Sequence, residues 1–338
     1  MRSLARSFNA RSPAAGLAAL MALVMLAWPA CAAAEPLEEI LVTGHQPGPG
    51  LWKVTRPADP AGHVLWVLGN HSPLPGKMDW RPAEIEAAIR ASQEVVAPPS
   101  INASVGPLGG VTLLPSLIGV RNNPDGRRLA EIVPADLYAR WLVLKQRYLG
   151  NVGKVERWRP IFAASALYEA ALDRSGLVPY AGVWPQVEKL ARRARVRIVE
   201  PEIDVKVRQP RAAIRDFKHM ALDDVACFER TLQRLESDLG LMSERANAWS
   251  VGDVDRLARL APVERATACI GALLESSLAR ERGYGDVIER ARSAWVQAAE
   301  DALARNASTL AVTSVDELLR PDGHFARWRR AGYLVEDP

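Results

Sequence analysis

Between residues 51 and 100 the apolar residues come in short runs bounded by turn residues; beyond residue 134 they recur at every third or fourth position. The first pattern is that of strands, the second that of helices. Leu51–Val54 and the run Val64–Leu68 flank Asp59-Pro60-Ala61-Gly62, a turn sequence, and predict a hairpin. Pro82–Gln93 predicts a helix with proline in its first turn and Ile85 and Ile89 on one face, leading into a second buried strand at Glu94–Ala97. Ile101–Val120 is apolar without a clean period and predicts loop with short extended pieces. Leu137, Trp141, Leu144 and Tyr148 mark a helix that Gly150 stops, and Pro160–Leu172 and Pro185–Arg195 predict two more. Val196–Val199 returns to strand, with Glu200 after it. Helices follow at about 212–220, 223–239, 242–250, 253–260, 263–280 and 286–305, and the chain closes with strand Ser308–Thr313, helix Pro321–Ala331 and strand Gly332–Val335.

Strands at both ends with helices between them predict an α+β fold. A central sheet is built from N- and C-terminal strands around a large helical middle region, with an insertion at about 210–305. The order suggests a signal peptide at 1–34, an extended leader at 35–50 with a short strand at Ile40–Thr43, and one domain over 51–338. No internal repeat or low-complexity linker divides it.

The first 34 residues alter the charge balance. Arg2, Arg6 and Arg11 precede an apolar run from Ala15 to Ala30, and Ala32-Ala33-Ala34 before Glu35 is a small-residue cleavage site. That is the layout of a secretory signal peptide, so the mature chain is expected in the periplasm or secreted, cut near Ala34. Cys31 invites a lipoprotein reading, but Trp28-Pro29 stands where small and aliphatic residues are expected. No later apolar run is long enough to span a membrane. The whole chain carries 43 Lys+Arg against 39 Asp+Glu; removing three arginines leaves a net charge of +1, which gives no support to a nucleic-acid partner. Cys227 and Cys269 form an even pair in an oxidising compartment and are a disulfide candidate, two independent buried thiols being the alternative.

Both ends of the domain resemble the TraB/GumN family, to which the Tiki proteases are related. At the N-terminal end the resemblance rests on Leu51-Trp52-Lys53-Val54, the strand ending in Gly69, and Leu74-Pro75. At the C-terminal end it rests on Pro321-Asp322-Gly323, a helix anchored by Phe325 and Trp328, and Gly332-Tyr333-Leu334-Val335. The resemblance implies metal-dependent hydrolysis, with a histidine after each of two strands as metal ligands and a glutamate after a third. Aligned on these motifs, the first histidine position holds Ser72, with His71 one residue early; the glutamate position holds Pro98; and the second histidine position holds Glu317, three residues after Ser314 in place of a glycine. Glu200 matches a further family glutamate, and Arg290 and Arg292 fall near a family arginine; as residues alone, the first reads as solvated and the pair as a charged helix face.

Catalytic zinc takes about three protein ligands, mostly histidine. Of His45, His63, His71, His219 and His324, only His71 is placed to join Glu317 and Glu200 at strand ends, since His63 lies at the opposite end of its strand and His324 is expected to start an exposed helix. His71 otherwise reads as a polar loop histidine. Ser72 next to His71 is not a nucleophile–base pair by adjacency, and no Gly-x-Ser-x-Gly elbow is present. The expectation is therefore an exported protein with a degenerate metal site, no cofactor and a binding or structural role, its ligand of the protein or peptide class. The alternative is a metal-dependent hydrolase on a shifted divalent-metal site using His71, Ser72, Glu200 and Glu317.

Overall fold

The computed structural model describes residues 48–76, 78, 82–105, 109–178, 183–219, 224–237, 239–260, 279–280 and 282–338. The Ile40–Thr43 strand, most of the 263–280 helix, Cys31 and Cys269 lie outside them. Ten strands are described: β1 (Leu51–Thr55), β2 (Val64–Asn70), β3 (Leu74–Pro75), β4 (Glu94–Val96), β5 (Ser100–Ser104), β6 (Leu177–Val178), β7 (Arg197–Val199), β8 (Glu202–Lys206), β9 (Ser308–Ser314) and β10 (Leu334–Glu336). The helices are α1 (Ala83–Ala91), α2 (Gly109–Leu117), α3 (Ala135–Tyr148), α4 (Pro160–Arg174), α5 (Trp184–Ala194), α6 (Pro210–His219), α7 (Val225–Ser237), α8 (Leu239–Ser250), α9 (Val254–Arg259), α10 (Val287–Arg305), α11 (Val315–Leu319) and α12 (His324–Arg330).

A six-stranded sheet runs in the order β10-β1-β2-β9-β4-β7, so the fold is α+β with N- and C-terminal strands interleaved. Its antiparallel half is the β1–β2 hairpin, extended by β10. Asp59 closes the turn: its carboxylate accepts from the backbone N–H groups of Ala61 and His63, and its Oδ2 lies 3.1 Å from His63 Nδ1. Strands β2, β9, β4 and β7 are parallel. A parallel strand covered on both faces should read as a continuous apolar run, not an alternation. β9 does so, with Thr309–Thr313 all buried, while β1 alternates buried and half-buried residues.

The core against this sheet includes Trp52, Leu65, Leu68, Ile89, Leu310 and Trp328. A second apolar cluster lies within the helical middle, where Trp141, Leu144, Leu167, Leu172, Phe228 and Leu232 join α3, α4 and α7. Glu156 is buried there, accepting from Trp141 Nε1 and Tyr138 Oη, each at 3.1 Å, with Lys145 Nζ at 2.7 Å.

Several expectations are corrected. The stretch 101–120 has its short extended piece in β5, but holds helix α2 where loop was expected. It has no helical stripe because Leu114, Leu117 and Ile118 are exposed. β6, β8 and α11 carry no clear sequence signal, being short and, in β8, set by pairing with β5. The closing helix starts at His324 rather than Pro321, and His324 is buried, not exposed.

Beyond β4 and β7 the parallel pairing resumes as β5·β8, but with a slip: Glu94 faces Arg197, whereas Ser100 faces Glu202. One extra residue on the β4 side makes a bulge, and Pro98, Pro99 and Pro201 explain it, because a proline nitrogen cannot donate to the ladder.

Candidate functional site

Parallel strands deliver the residues that follow them to one edge of a sheet, and polar groups at that edge are where such folds build sites. Here Asn70 pairs with Ser314, so the loops carrying His71 and Ser72 and the turn carrying Glu317 leave adjacent strand ends. Pro98 and Glu200 follow β4 and β7 at the same edge, both at the bulge. Residues 72 and 317, far apart in sequence, are thus brought to neighbouring exits.

Close packing shapes the β2 exit. A Cβ on Gly69 would meet Val315 Cβ at 2.9 Å and Trp52 Cζ3 at 3.2 Å, which is why α11 can turn directly over the strand end. The Gly69 carbonyl accepts from Trp249 Nε1 at 2.7 Å, and the Asn70 side-chain oxygen accepts from the Val183 N–H at 3.1 Å. His71 is buried and stacks on Trp249, with centroids 6.5 Å apart; it is an interior aromatic contact rather than a polar loop histidine. Ser72 is half-buried and precedes a cis Pro73.

The β9 exit repeats the arrangement. Trp295 Nε1 donates to the Val312 carbonyl at 2.9 Å, and His324 stacks on Trp295 with centroids 4.9 Å apart. Both indoles satisfy strand-end carbonyls that burial removes from water. Glu317 is committed to cations: its Oε1 lies 2.8 Å from Arg292 Nη2 and 3.6 Å from Arg320 Nη1. Next to it, Asp316 Oδ1 meets Arg245 Nη2 at 2.6 Å, and Arg245 Nη1 donates to the carbonyls of Leu257 and Leu260. These ion pairs rivet α8, α9 and α10 to α11.

This donor set does not suit a divalent ion. A cation at Glu317 would have to displace two guanidinium groups, and Pro98 offers no ligand. Glu200 is exposed and three strands from β2, about 14 Å at ordinary strand spacing. Among the described residues, no three His, Cys, Asp or Glu side chains are grouped as a metal site requires. Cys227 is buried on α7, and its expected partner Cys269 lies outside the described residues.

Sequence alone reads Arg292 as a charged helix face, places His324 on an exposed helix and gives Asp316 no role, and the structure revises all three. Arg292 falls three positions before Trp295 on α10 and shares its inward face, so it is more than a solvated charge. Asp316 directly precedes Glu317. His324 stands four positions before the buried Trp328, the spacing of a helix face turned inward.

Burial drives the His324 pKa down to about 4; Arg292 and Arg327 add to this, while Glu317 and Glu289 oppose it. Below the ordinary value of 6.5 the unfolded chain binds a proton that the folded chain refuses. Stability should therefore be full above pH 6.5 and fall between pH 6.5 and about 4, by about 3 kcal/mol. Chemical denaturation across this range should show that slope, and His324→Phe should flatten it. Glu156, whose burial is outweighed by hydrogen bonds from Lys145, Trp141 and Tyr138, is held below the usual carboxylate range and adds a loss only at lower pH.

A family model described as the TraB/PrgY/gumN family matches residues 50–337, and the chain belongs to that family. No curated protein and no solved structure matches it.

Proposed function

Within the TraB/PrgY/gumN family, we propose that this chain is an exported member whose metal site is degenerate, serving a non-catalytic binding or structural role for a protein or peptide ligand. One observation carries the reading: where the family resemblance implies a metal-ligating histidine, Glu317 stands instead, and its carboxylate is engaged by Arg292 and Arg320. Ser72 and Pro98 at the other two positions agree with it. Arg2, Arg6 and Arg11 before the apolar run 15–30, and the alanines 32–34, support export with cleavage near Ala34. Export in turn favours a Cys227–Cys269 disulfide joining two segments of the helical middle. On this reading the chain divides into the signal peptide 1–34, the leader 35–50 and a single domain over 51–338.

Mass spectrometry of the protein recovered from its producing cells tests the proposal under native and then denaturing, non-reducing conditions. The expected result is a chain beginning at Glu35, two hydrogens lighter than its reduced form, and retaining no stoichiometric zinc or manganese after dialysis. One tightly held ion per chain, lost on His71→Ala or Glu317→Ala, would overturn the degenerate-site reading in favour of a hydrolase built on His71, Ser72, Glu200 and Glu317. An intact Met1 or a lipid on Cys31 would overturn cleavage at Ala34.

A further inference from the structure

Strands β5 and β8 extend past the bulge as a two-stranded ribbon, and each leads into a helix: β5 into α2 and β8 into α6, which pack together. Between Glu94 and Arg121 the chain holds no charged residue over the 26 positions 95–120. Despite that composition α2 buries Leu113 but not its neighbours: Leu114 is 60% exposed, Leu117 44% and Ile118, just past its end, 77%. Exposed apolar side chains grouped on one short element mark an interaction surface.

The neighbouring charges indicate what the surface meets. Lys218 Nζ donates to the Ile118 carbonyl at 2.7 Å and Arg211 Nη2 to the Thr112 carbonyl at 3.3 Å, so α6 sets cations directly beside the apolar side chains. Arg215 on the same helix is exposed. The acid of α6, Asp216, is engaged by Arg282. Arg121, the first residue after the apolar stretch, lies over the ring of Trp158 at 5.5 Å, as does Lys154 at 5.8 Å. Exposed apolar residues set beside lysine and arginine suit the boundary between acyl chains and anionic headgroups. Among the described residues no helix is long and apolar enough to cross a membrane, so such contact would lie along the surface.

We propose that the α2–α6 arm docks on an anionic phospholipid bilayer, inserting Leu114, Leu117 and Ile118 among the headgroups while Arg211, Arg215 and Lys218 face the lipid phosphates. The proposal is independent of the metal-site reading. It is tested by flotation of the chain from Glu35 onward, so that the apolar run 15–30 does not itself insert, with vesicles of phosphatidylcholine alone or mixed with phosphatidylglycerol. The expected result is strong binding to the mixed vesicles, weak binding to the neutral ones, and weakening by salt. Leu117→Glu with Ile118→Glu should cut binding by more than about tenfold, since each apolar side chain is worth roughly that factor. Arg215→Gln should weaken binding to the anionic vesicles only. These positions are exposed, so unchanged thermal midpoints should show that the variants fold. Wild-type protein that floats with neither vesicle, or a double variant that binds as well as wild type, overturns the proposal. So does self-association abolished by Ile118→Glu in a protein that ignores vesicles, which would assign the surface to a second copy of the chain.

Discussion

Trp295→Ala is expected to destabilise the fold by about 4 kcal/mol, the largest effect of any single change proposed for this chain. Trp295 is fully buried, and its ring contacts His324 and Trp328 at centroid distances of 4.9 and 5.9 Å. Truncation leaves a cavity of indole size beneath the sheet and also strips the Val312 carbonyl of the donor 2.9 Å away. Trp295→Phe separates the two losses: it keeps most of the ring volume but orphans the carbonyl, and should cost about 1 to 3 kcal/mol. Urea unfolding with an unchanged m-value is the measurement. If the phenylalanine variant is as stable as wild type, the hydrogen bond to the strand end contributes nothing. Opening the cavity also wets His324, so its pKa in Trp295→Ala should climb from about 4 toward 6.5, a shift visible by nuclear magnetic resonance.

The second large effect is expected at Asp316. Its carboxylate lies 2.6 Å from Arg245, whose side chain is only 2% exposed. Asp316→Ala removes a carboxylate 2.6 Å from a buried guanidinium and should cost about 3 kcal/mol, because that attraction is lost while Arg245 stays desolvated. The carbonyls of Leu257 and Leu260 keep their hydrogen bonds but do not neutralise the charge. Replacing both partners with apolar residues, Arg245→Met with Asp316→Leu, should recover much of the loss, since it removes the desolvation cost along with the attraction. A double variant no more stable than Asp316→Ala would show that Arg245 holds α8 and α9 mainly through the two carbonyls. The α11 turn is the element at stake, so loss of the pair should also loosen Glu317 from Arg292.

Much of the architecture was open to reading before any coordinates. Alternation in β1, the turn acid Asp59 and the apolar run of β2 specify the hairpin through local chemistry. Leu137, Trp141, Leu144 and Tyr148 specify one face of α3 through the helical period, and all four are buried. Both depend on residues a few positions apart, and periodicity reports such separations. α2 shows the complementary case: Leu113 is buried but Leu114 and Leu117 are exposed, so burial imprints no stripe on it.

Sequence by itself determined that this chain is an α+β protein with strands at both ends and a helical middle, and which polar residues follow its strands. Only the tertiary structure decided what those residues touch. Val64 of β2 pairs with Ser308 of β9 across the helical middle, and no local pattern encodes which strands become neighbours. That pairing brings α11 within reach of α10, so that a glutamate after β9 meets an arginine 25 residues earlier on another element. It also buries His71 and His324 against Trp249 and Trp295, turning two residues that read as polar into parts of the core. The physical reason is the same in each case: the charge, burial and pKa of a side chain belong to its neighbours in space, and the chain chooses those neighbours only when it closes its sheet.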